Sequence, residues 1–176
     1  MTSSTRGIDF ANLSLKDALD FAVLVEEEAQ ERYDELTQQM ESHDTHDAAA
    51  FFRFMAMNEA KHGRQLRERR ERLFGSEPRA VDRTMLFDVE AADYDEVRAF
   101  MSPRRAMSTA LRCEEKAHAF FSAAIPNIVN KAVRALFDEL CAEELEHQRL
   151  VRREIEMLPP DADVDGDAFA DEPVGH

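Results

Sequence analysis

The sequence has no tryptophan, and only five glycines and two tyrosines occur among its 176 residues. Valine and isoleucine are scarce, whereas alanine, leucine, glutamate and arginine are abundant. Because sheets favour β-branched and aromatic residues while helices favour the abundant group here, the composition predicts an all-α protein. A chain of this length can bury one full hydrophobic core, so we expect a single domain.

Long apolar runs are also lacking, and basic residues are outnumbered by acidic ones. No segment approaches the roughly 20 apolar residues that a membrane-spanning helix needs. The start, MTSSTRGIDF, has neither the basic region nor the apolar run of a signal peptide. With 22 Lys and Arg against 37 Asp and Glu, the net charge of −15 disfavours nucleic acid and anionic membranes as partners. We therefore expect a cytoplasmic protein with no nucleic-acid and no membrane partner.

Cysteine is nearly absent as well. The two cysteines, Cys113 and Cys141, are too few for a disulfide framework or a Cys-x-x-Cys metal site. We expect both to be small buried hydrophobic residues.

Helix start and stop signals divide the chain into four long helices. Ser14 and Ser102 can each cap a helix, and Pro103 suits a first helical position. The Arg-rich stretch GRQLRERRER alternates Arg with Glu at helical spacing, which predicts a solvated face of paired charges. The predicted helices run from Ser14 to about Met40, from about Asp47 to Phe74 before Gly75 and Pro78, from Ser102 to a point before Pro126, and from Asn127 or Asn130 to Leu158.

Three further segments flank or join these helices. Residues 1–12 are expected to form an N-terminal arm, and residues 75–101 a long connection with a short helix at DYDEVRAFM. Residues 159–176 are acidic, contain no Lys or Arg and offer one Phe to a core. We expect this segment to be a disordered tail, which leaves residues 13–158 as the folded bundle.

The second half of the chain repeats the first. Residues 13–33 superpose on residues 101–121 without a gap, and the segment NEAKH superposes on EELEH. The chain is therefore a duplicated helical hairpin, and an antiparallel four-helix bundle is the fold that it predicts. Each half carries a lone Glu on one helix and a Glu-x-x-His on the next: Glu26 with Glu59 and His62, and Glu114 with Glu144 and His147.

These six side chains suit two metal ions. Residues three apart on a helix are separated by about 60° around its axis, so each Glu-x-x-His presents a carboxylate and an imidazole to one side. A bundle with a Glu from each of two helices and a Glu-x-x-His from each of the others forms a di-iron or di-manganese site. Glu26 interrupts an apolar stripe, next to Val25 and one turn after Ala22, where an unpartnered charge is costly. Imidazole and carboxylate ligands without a thiolate favour two iron or manganese ions over a structural zinc site, although Zn can substitute.

The position of the lone Glu is open in both halves. The ligand in VEEEA can be Glu26, Glu27 or Glu28, and the ligand in CEEKA can be Glu114 or Glu115. Glu26 and Glu114 are favoured because each stands seven residues before an aromatic residue and shares its helix face.

Other polar residues near the pattern have two interpretations. Tyr33 either hydrogen-bonds a ligand carboxylate and takes part in catalysis, or is a core aromatic residue. His118 lies one turn past Glu114, but its counterpart in the first half is Gln30, which favours a half-exposed surface residue. His43, His46 and His176 lie in predicted loops or in the tail, where solvated side chains are expected.

With these residues placed, the chain resembles the rubrerythrin branch of the ferritin-like superfamily over about residues 13–158. The similarity lies in EEEAQERY, NEAKH, EEKAHAFF and EELEH. The resemblance implies a ferritin-like bundle that binds two irons and couples oxidation of ferrous iron to reduction of peroxide or dioxygen. Its metal ligands carry over to Glu26, Glu59, His62, Glu114, Glu144 and His147.

Three features depart from the family pattern. Rubrerythrins usually carry a further Glu one turn after the ligand of the third helix, where this chain has Ala117. The counterpart of Tyr33 on the third helix is Phe121, so one hydroxyl is absent. No four-cysteine rubredoxin module follows the fourth helix, so the electron donor is expected to be a separate molecule or ferrous iron itself.

The expected function is that of a non-haem di-iron oxidoreductase of peroxidase or ferroxidase type. Its expected partners are a small oxidant, an unidentified electron donor and a second copy of the chain in a homodimer. The alternatives are an iron-handling protein for storage or delivery, and a bundle whose two metal ions are purely structural.

Overall fold

The computed structural model describes residues 8–86, 101–160 and 162. Four long helices dominate this part of the chain, which contains no strand. Two short 3₁₀ helices, which the sequence did not predict, lie at Arg83–Leu86 and Ile125–Asn127. The long helices are α1 at Leu15–Ser42, α2 at His46–Phe74, α3 at Pro103–Ala124 and α4 at Lys131–Met157.

The helix ends agree with the predicted signals. The Ser14 side chain accepts a hydrogen bond from the Asp17 amide at 3.1 Å, and the Ser102 side chain accepts one from the Arg105 amide at 3.3 Å. At the start of α4 the cap is Asn130, whose side chain accepts from the Ala132 amide at 2.9 Å. These side chains satisfy amide groups that have no partner within the helix.

Two apolar clusters fill the bundle, one towards each end. One includes Phe21 of α1 and Phe137 of α4, and the other includes Met40 of α1 and Phe52 of α2. In every helix, the residues of the predicted metal site stand between the segments that supply these two clusters. The polar site therefore lies midway along the bundle, between two apolar layers.

The segments outside the helices touch the bundle at both ends. Phe10 packs its ring against Phe120 and Phe137, with centroids 5.9 Å and 6.1 Å away. The Arg104 amide donates to the Ala162 carbonyl at 3.4 Å, and Ala162 is buried. The short helix predicted at DYDEVRAFM, apart from Met101, and residues 163–176 of the acidic tail lie outside the described residues. No helix in the described ranges is both long and apolar enough to cross a membrane.

One arginine of the Arg-rich stretch does not belong to the solvated face predicted for it. Arg70 is buried, and its Nε donates to Asp20 Oδ1 of α1 at 2.8 Å. Its Nη1 also donates to the Gly75 carbonyl at 2.6 Å, beyond the end of α2. Lys16 contributes a second cation, with Nζ 3.5 Å from Asp20 Oδ2. Asp20 therefore joins α1, α2 and the segment that follows α2.

Replacing Asp20 by Asn should destabilise the protein by about 3 kcal/mol, because it leaves the Arg70 guanidinium without its buried carboxylate. The free energy of unfolding from urea titration measures the loss. Glu41→Gln is the matched control, since its pair with Arg53 is half exposed on both sides and should contribute less than about 1 kcal/mol. Equal effects of the two substitutions would show that the Asp20 pair has no special role in holding the helices together.

Candidate metal centre

All four helices direct ligand-type side chains into the middle of the bundle. The carboxylates of Glu26, Glu59, Glu114 and Glu144 belong to residues that are at most 6% exposed. His147 is 4% exposed, whereas His62 is only partly buried. The structure thus brings together the six residues that the sequence predicted as ligands.

At one end of the centre, donors surround the imidazole of His147. Its Nδ1 lies 3.1 Å from Glu59 Oε1 and 3.5 Å from Glu114 Oε2. The donor atoms of Glu114, Glu144 and His147 all lie within 4.8 Å of one another. This spacing is suitable for a shared metal ion.

The other end of the centre is built around His62. Its Nδ1 lies 3.8 Å from Glu26 Oε2 and 3.9 Å from Glu143 Oε2. The rings of His62 and His147 stack with centroids 5.4 Å apart and planes 10° apart. Among the described residues, three overlapping groups have metal-ligand spacing: Glu59 with His62 and His147; Glu26 with His62 and Glu143; and Glu114 with Glu144 and His147.

Sequence reasoning missed Glu143. It stands directly before Glu144, where a charged helix residue ordinarily faces solvent, and it has no carboxylate counterpart in the first half because Asn58 occupies that position. One signal was available: Glu143 lies four residues before His147, so the two side chains share a helix face.

Burial separates the alternatives that the sequence left open. The Glu27 side chain is 29% exposed and pairs with Arg67 at 3.0 Å. The Glu115 side chain is 45% exposed and pairs with Arg152 at 2.6 Å. Both therefore face away from the centre. Glu28 is only partly buried and belongs to none of the three groups, which leaves Glu26 and Glu114 as the inward carboxylates.

Tyr33 supports one of the carboxylates. The residue is fully buried, and its hydroxyl donates a hydrogen bond to Glu114 Oε1. The Tyr33 carbonyl in turn accepts a hydrogen bond from Thr37 Oγ1 at 2.8 Å. Gln148 holds the same region from α4, where its Nε2 donates to the Glu114 carbonyl at 3.3 Å. The structure contains features of both interpretations of Tyr33, since the residue hydrogen-bonds a carboxylate of the site and also belongs to an apolar cluster of the core.

The other histidines stand apart from the centre. His118 is half-buried, with its Nε2 3.4 Å from Ser122 Oγ, and it belongs to none of the three groups. His43 and His46 are exposed, as expected for loop residues and a helix start. His176 lies outside the described residues.

A glycine allows α2 to approach α1 at this site. A Cβ atom added to Gly63 would lie 3.3 Å from Cβ of Glu26, which is closer than side chains ordinarily pack. A side chain at position 63 would therefore require the Glu26 side chain to shift by a few tenths of an ångström. Gly63 therefore contributes to the short separation of these two ligands.

The carboxylates perturb one another and the imidazoles. Burial and neighbouring carboxylates raise the pKa of Glu59 and of Glu144 well above the ordinary value, although His147 acts in the opposite direction on Glu59. Burial disfavours charged His147, but Glu114 and Glu59 outweigh it and raise its pKa to about 9. Burial and the nearby His147 lower the pKa of His62 to about 4. The metal-free centre thus retains protons that a metal ion would displace.

Several buried polar atoms in the centre fit this role. Glu59 Oε1, Glu144 Oε2 and His147 Nδ1 are inaccessible to solvent and form no well-aligned hydrogen bond within the described part of the chain, although His147 Nδ1 and Glu59 Oε1 lie 3.1 Å apart. Buried polar groups are ordinarily satisfied, so their convergence on one point indicates a missing partner. Carboxylates and imidazoles without a thiolate suit iron or manganese. The donor set therefore fits a divalent metal centre.

The fold and the arrangement of these side chains define the class of ferritin-like proteins, in which facing helices of a four-helix bundle contribute Glu and Glu-x-x-His ligands. A model of the Rubrerythrin family matches residues 17–155, and the chain belongs to that family. No curated protein matches the chain.

A solved structure has the same fold. It is the crystal structure of an uncharacterized conserved protein from Magnetospirillum magnetotacticum MS-1, which is 30% identical to this chain. The match covers 84% of this chain and 97% of that one, with a TM-score of 0.69.

The metal-free protein should lose stability as pH rises from about 6.5 to 9. The folded pKa of His147 exceeds its unfolded value, so the stability that its charge contributes is complete below pH 6.5 and disappears through pH 9. A pKa difference of this size corresponds to about 3 kcal/mol. The raised pKa values of Glu59 and Glu144 act in the same direction. Thermal unfolding of chelator-treated protein across this pH range measures the loss.

His147→Gln provides the control, because without this imidazole the stability of the metal-free protein should decline less over the same pH range. The stability of protein loaded with metal should also depend less on pH, since the ion takes the place of the protons. A metal-free stability that rises between pH 6.5 and 9 would contradict the assigned proton distribution.

Proposed function

We propose that this protein is a di-iron oxidoreductase that couples oxidation of ferrous iron to reduction of peroxide or dioxygen. The observation that supports it best is the set of three overlapping carboxylate and histidine groups in the bundle core, which suit two ions close enough to share ligands. Membership in the rubrerythrin family supports the same activity.

The proposed reaction balances with two iron ions. Two ferrous ions held by the six predicted ligands would supply two electrons, so that one hydrogen peroxide and two protons would give two waters and leave two ferric ions. With dioxygen, the same two electrons and two protons would give hydrogen peroxide. A separate electron donor would return the irons to the ferrous state.

The protein's own residues have three tasks in this proposal. The carboxylates of Glu26, Glu59, Glu114 and Glu144 offset the charge of two divalent ions. The apolar clusters on either side restrict water, which strengthens electrostatic interactions in the centre. Tyr33 holds the orientation of the Glu114 carboxylate through its hydrogen bond.

The cellular setting and assembly are also part of the proposal. Cys113 and Cys141 form no disulfide within the described residues, which suits a reducing compartment such as the cytoplasm. We place the protein there as a homodimer. Exposed apolar side chains on adjacent turns of α2, Phe54 at 48% and Met57 at 67%, offer a surface for such an association.

Anaerobic loading should place two ferrous ions in each chain, and one equivalent of peroxide should then oxidise both. Ferric absorption at near-ultraviolet wavelengths and iron analysis measure the two quantities. The double substitutions Glu59→Gln with His62→Gln, and Glu144→Gln with His147→Gln, should each reduce binding to one ion or none and abolish the rapid absorption change. Glu146→Gln, an exposed carboxylate on the same turn of α4, is the matched control.

Two iron ions that bind but stay ferrous after peroxide and after dioxygen would refute the redox function while leaving a structural metal centre. Full iron content in either double variant would refute the ligand assignment.

Tyr33→Phe should retain two ions but slow oxidation about tenfold, equivalent to about 1.4 kcal/mol in the activation free energy. The reason is that the Glu114 carboxylate loses the donor that orients it, whereas no ligand is removed. Stopped-flow absorbance gives the rate, and a changed ferric spectrum would separate an effect on the ligand from a loss of packing. Thr37→Val, one turn along α1, serves as a control for disturbance of the helix. An unchanged rate and spectrum in Tyr33→Phe would leave Tyr33 as a core residue only.

A further inference from the structure

We propose that Glu143 is a seventh protein ligand, which binds the metal ion at the His62 end of the centre from the solvent side. This inference rests on the metal centre of the proposed function, but it does not depend on the redox reaction.

The position of the Glu143 carboxylate is that of a ligand. Its Oε2 lies 3.9 Å from His62 Nδ1, and Glu26 Oε2 lies 3.8 Å from the same nitrogen. Two donors that each bind an ion at about 2.1 Å stand at most about 4.2 Å apart. Both separations are below this limit, so one ion can be bound by His62 together with either carboxylate.

The Glu143 side chain differs from its neighbours on α4. Glu139, one turn earlier, pairs with Arg69 at 3.0 Å, and Glu146, one turn later, pairs with Arg149 at 2.6 Å. These two are ordinary surface carboxylates that are neutralised by arginines. Glu143 instead points across the interface between α4 and α2, towards an imidazole of the centre.

The imidazole at this end lacks a hydrogen-bond partner within the described residues. His62 Nδ1 is inaccessible to solvent and makes no hydrogen bond there. The same nitrogen is the atom that lies 3.8 Å from Glu26 Oε2 and 3.9 Å from Glu143 Oε2. The donor atoms of His62, Glu26 and Glu143 all lie within 4.8 Å of one another, so an ion bound among them would give His62 its missing partner.

A seventh ligand also balances the two ends of the centre. The His147 end has the carboxylates of Glu114 and Glu144 in its group, whereas the His62 end without Glu143 retains only Glu26 as its own. One turn after Glu114, α3 offers only the methyl group of Ala117. Glu143 gives the His62 end its second carboxylate, and it does so from α4.

Glu143 is also more exposed than the other carboxylates of the centre. Its side chain is 36% exposed, compared with 4% for Glu26 and 2% for Glu59. A ligand at the solvent boundary can release or receive an ion without opening of the bundle core. Glu143 should therefore affect both the affinity and the exit rate of one ion, and leave the other ion unchanged.

Titration of metal-free full-length protein with Co²⁺ tests this inference. The wild type should bind two ions. In Glu143→Gln the affinity for one of them should fall at least tenfold, and transfer of that ion to a chelator should become faster. The visible absorption per Co²⁺ should rise, because its intensity increases as the coordination number falls. Glu143→Asp, which keeps the carboxylate on a shorter side chain, should lie between the two.

Glu139→Gln is the matched control, since it removes one carboxylate from the same helix face without approaching His62. It should bind Co²⁺ as the wild type does, and circular dichroism should show that all variants are folded. Identical affinities, exit rates and spectra for Glu143→Gln and the wild type would overturn the inference. Failure of the wild type to bind Co²⁺ would overturn it together with the metal centre. Glu143-dependent binding without peroxide reactivity would refute the redox function alone.

Discussion

The burial of four carboxylates in the middle of an apolar bundle is the constraint on which the rest of the structure depends. Unpartnered charges in such a place are costly, and like charges at close range raise the cost further. The metal-free protein limits this cost by retaining protons, as the raised pKa values of Glu59, Glu144 and His147 indicate. Two divalent cations would remove the same repulsion, so metal binding and stability are coupled. The bundle around the centre must therefore supply stability that the centre does not provide without metal.

That stability comes from both ends of the bundle. Aromatic rings such as Phe21, Phe121 and Phe137 pack edge to face in one apolar cluster, with centroids 5.3 Å to 6.5 Å apart. The buried pair of Asp20 and Arg70 holds α1 against α2 on that side. Close approach of the helices at Gly63 then brings His62 beside Glu26. The site is positioned by packing on either side of it, and in the metal-free protein the pairing of His147 with Glu59 and Glu114 adds to that packing.

Much of this arrangement could be predicted from the sequence, because it depends on local signals and on a repeat. Caps at Ser14 and Ser102 are confirmed, and the four helices, the bundle and the family follow from the periodicity and the motifs. The roles of Asp20, Gly63 and Glu143 could not be predicted in this way. Each depends on which residue of another helix lies opposite, and that is decided by the rotation and separation of packed helices. Arg70 is an example of a residue whose role the local sequence does not reveal. Its charge pattern is that of a surface residue, and its partner Asp20 is 50 positions away along the chain.

Divergence between the two duplicated halves explains why the two ends of the centre are not equivalent. The six predicted ligands occur as matching sets, but the residues around them have diverged. Tyr33 donates to Glu114, whereas its counterpart Phe121 has no hydroxyl to offer in the other half. Glu143 reaches towards His62, whereas its counterpart is Asn58. One end therefore has a buried carboxylate fixed by a phenol, and the other has a carboxylate at the solvent boundary. An ion at the Glu114 end would be held in a fixed, dry environment, while an ion at the His62 end would exchange more readily with solvent.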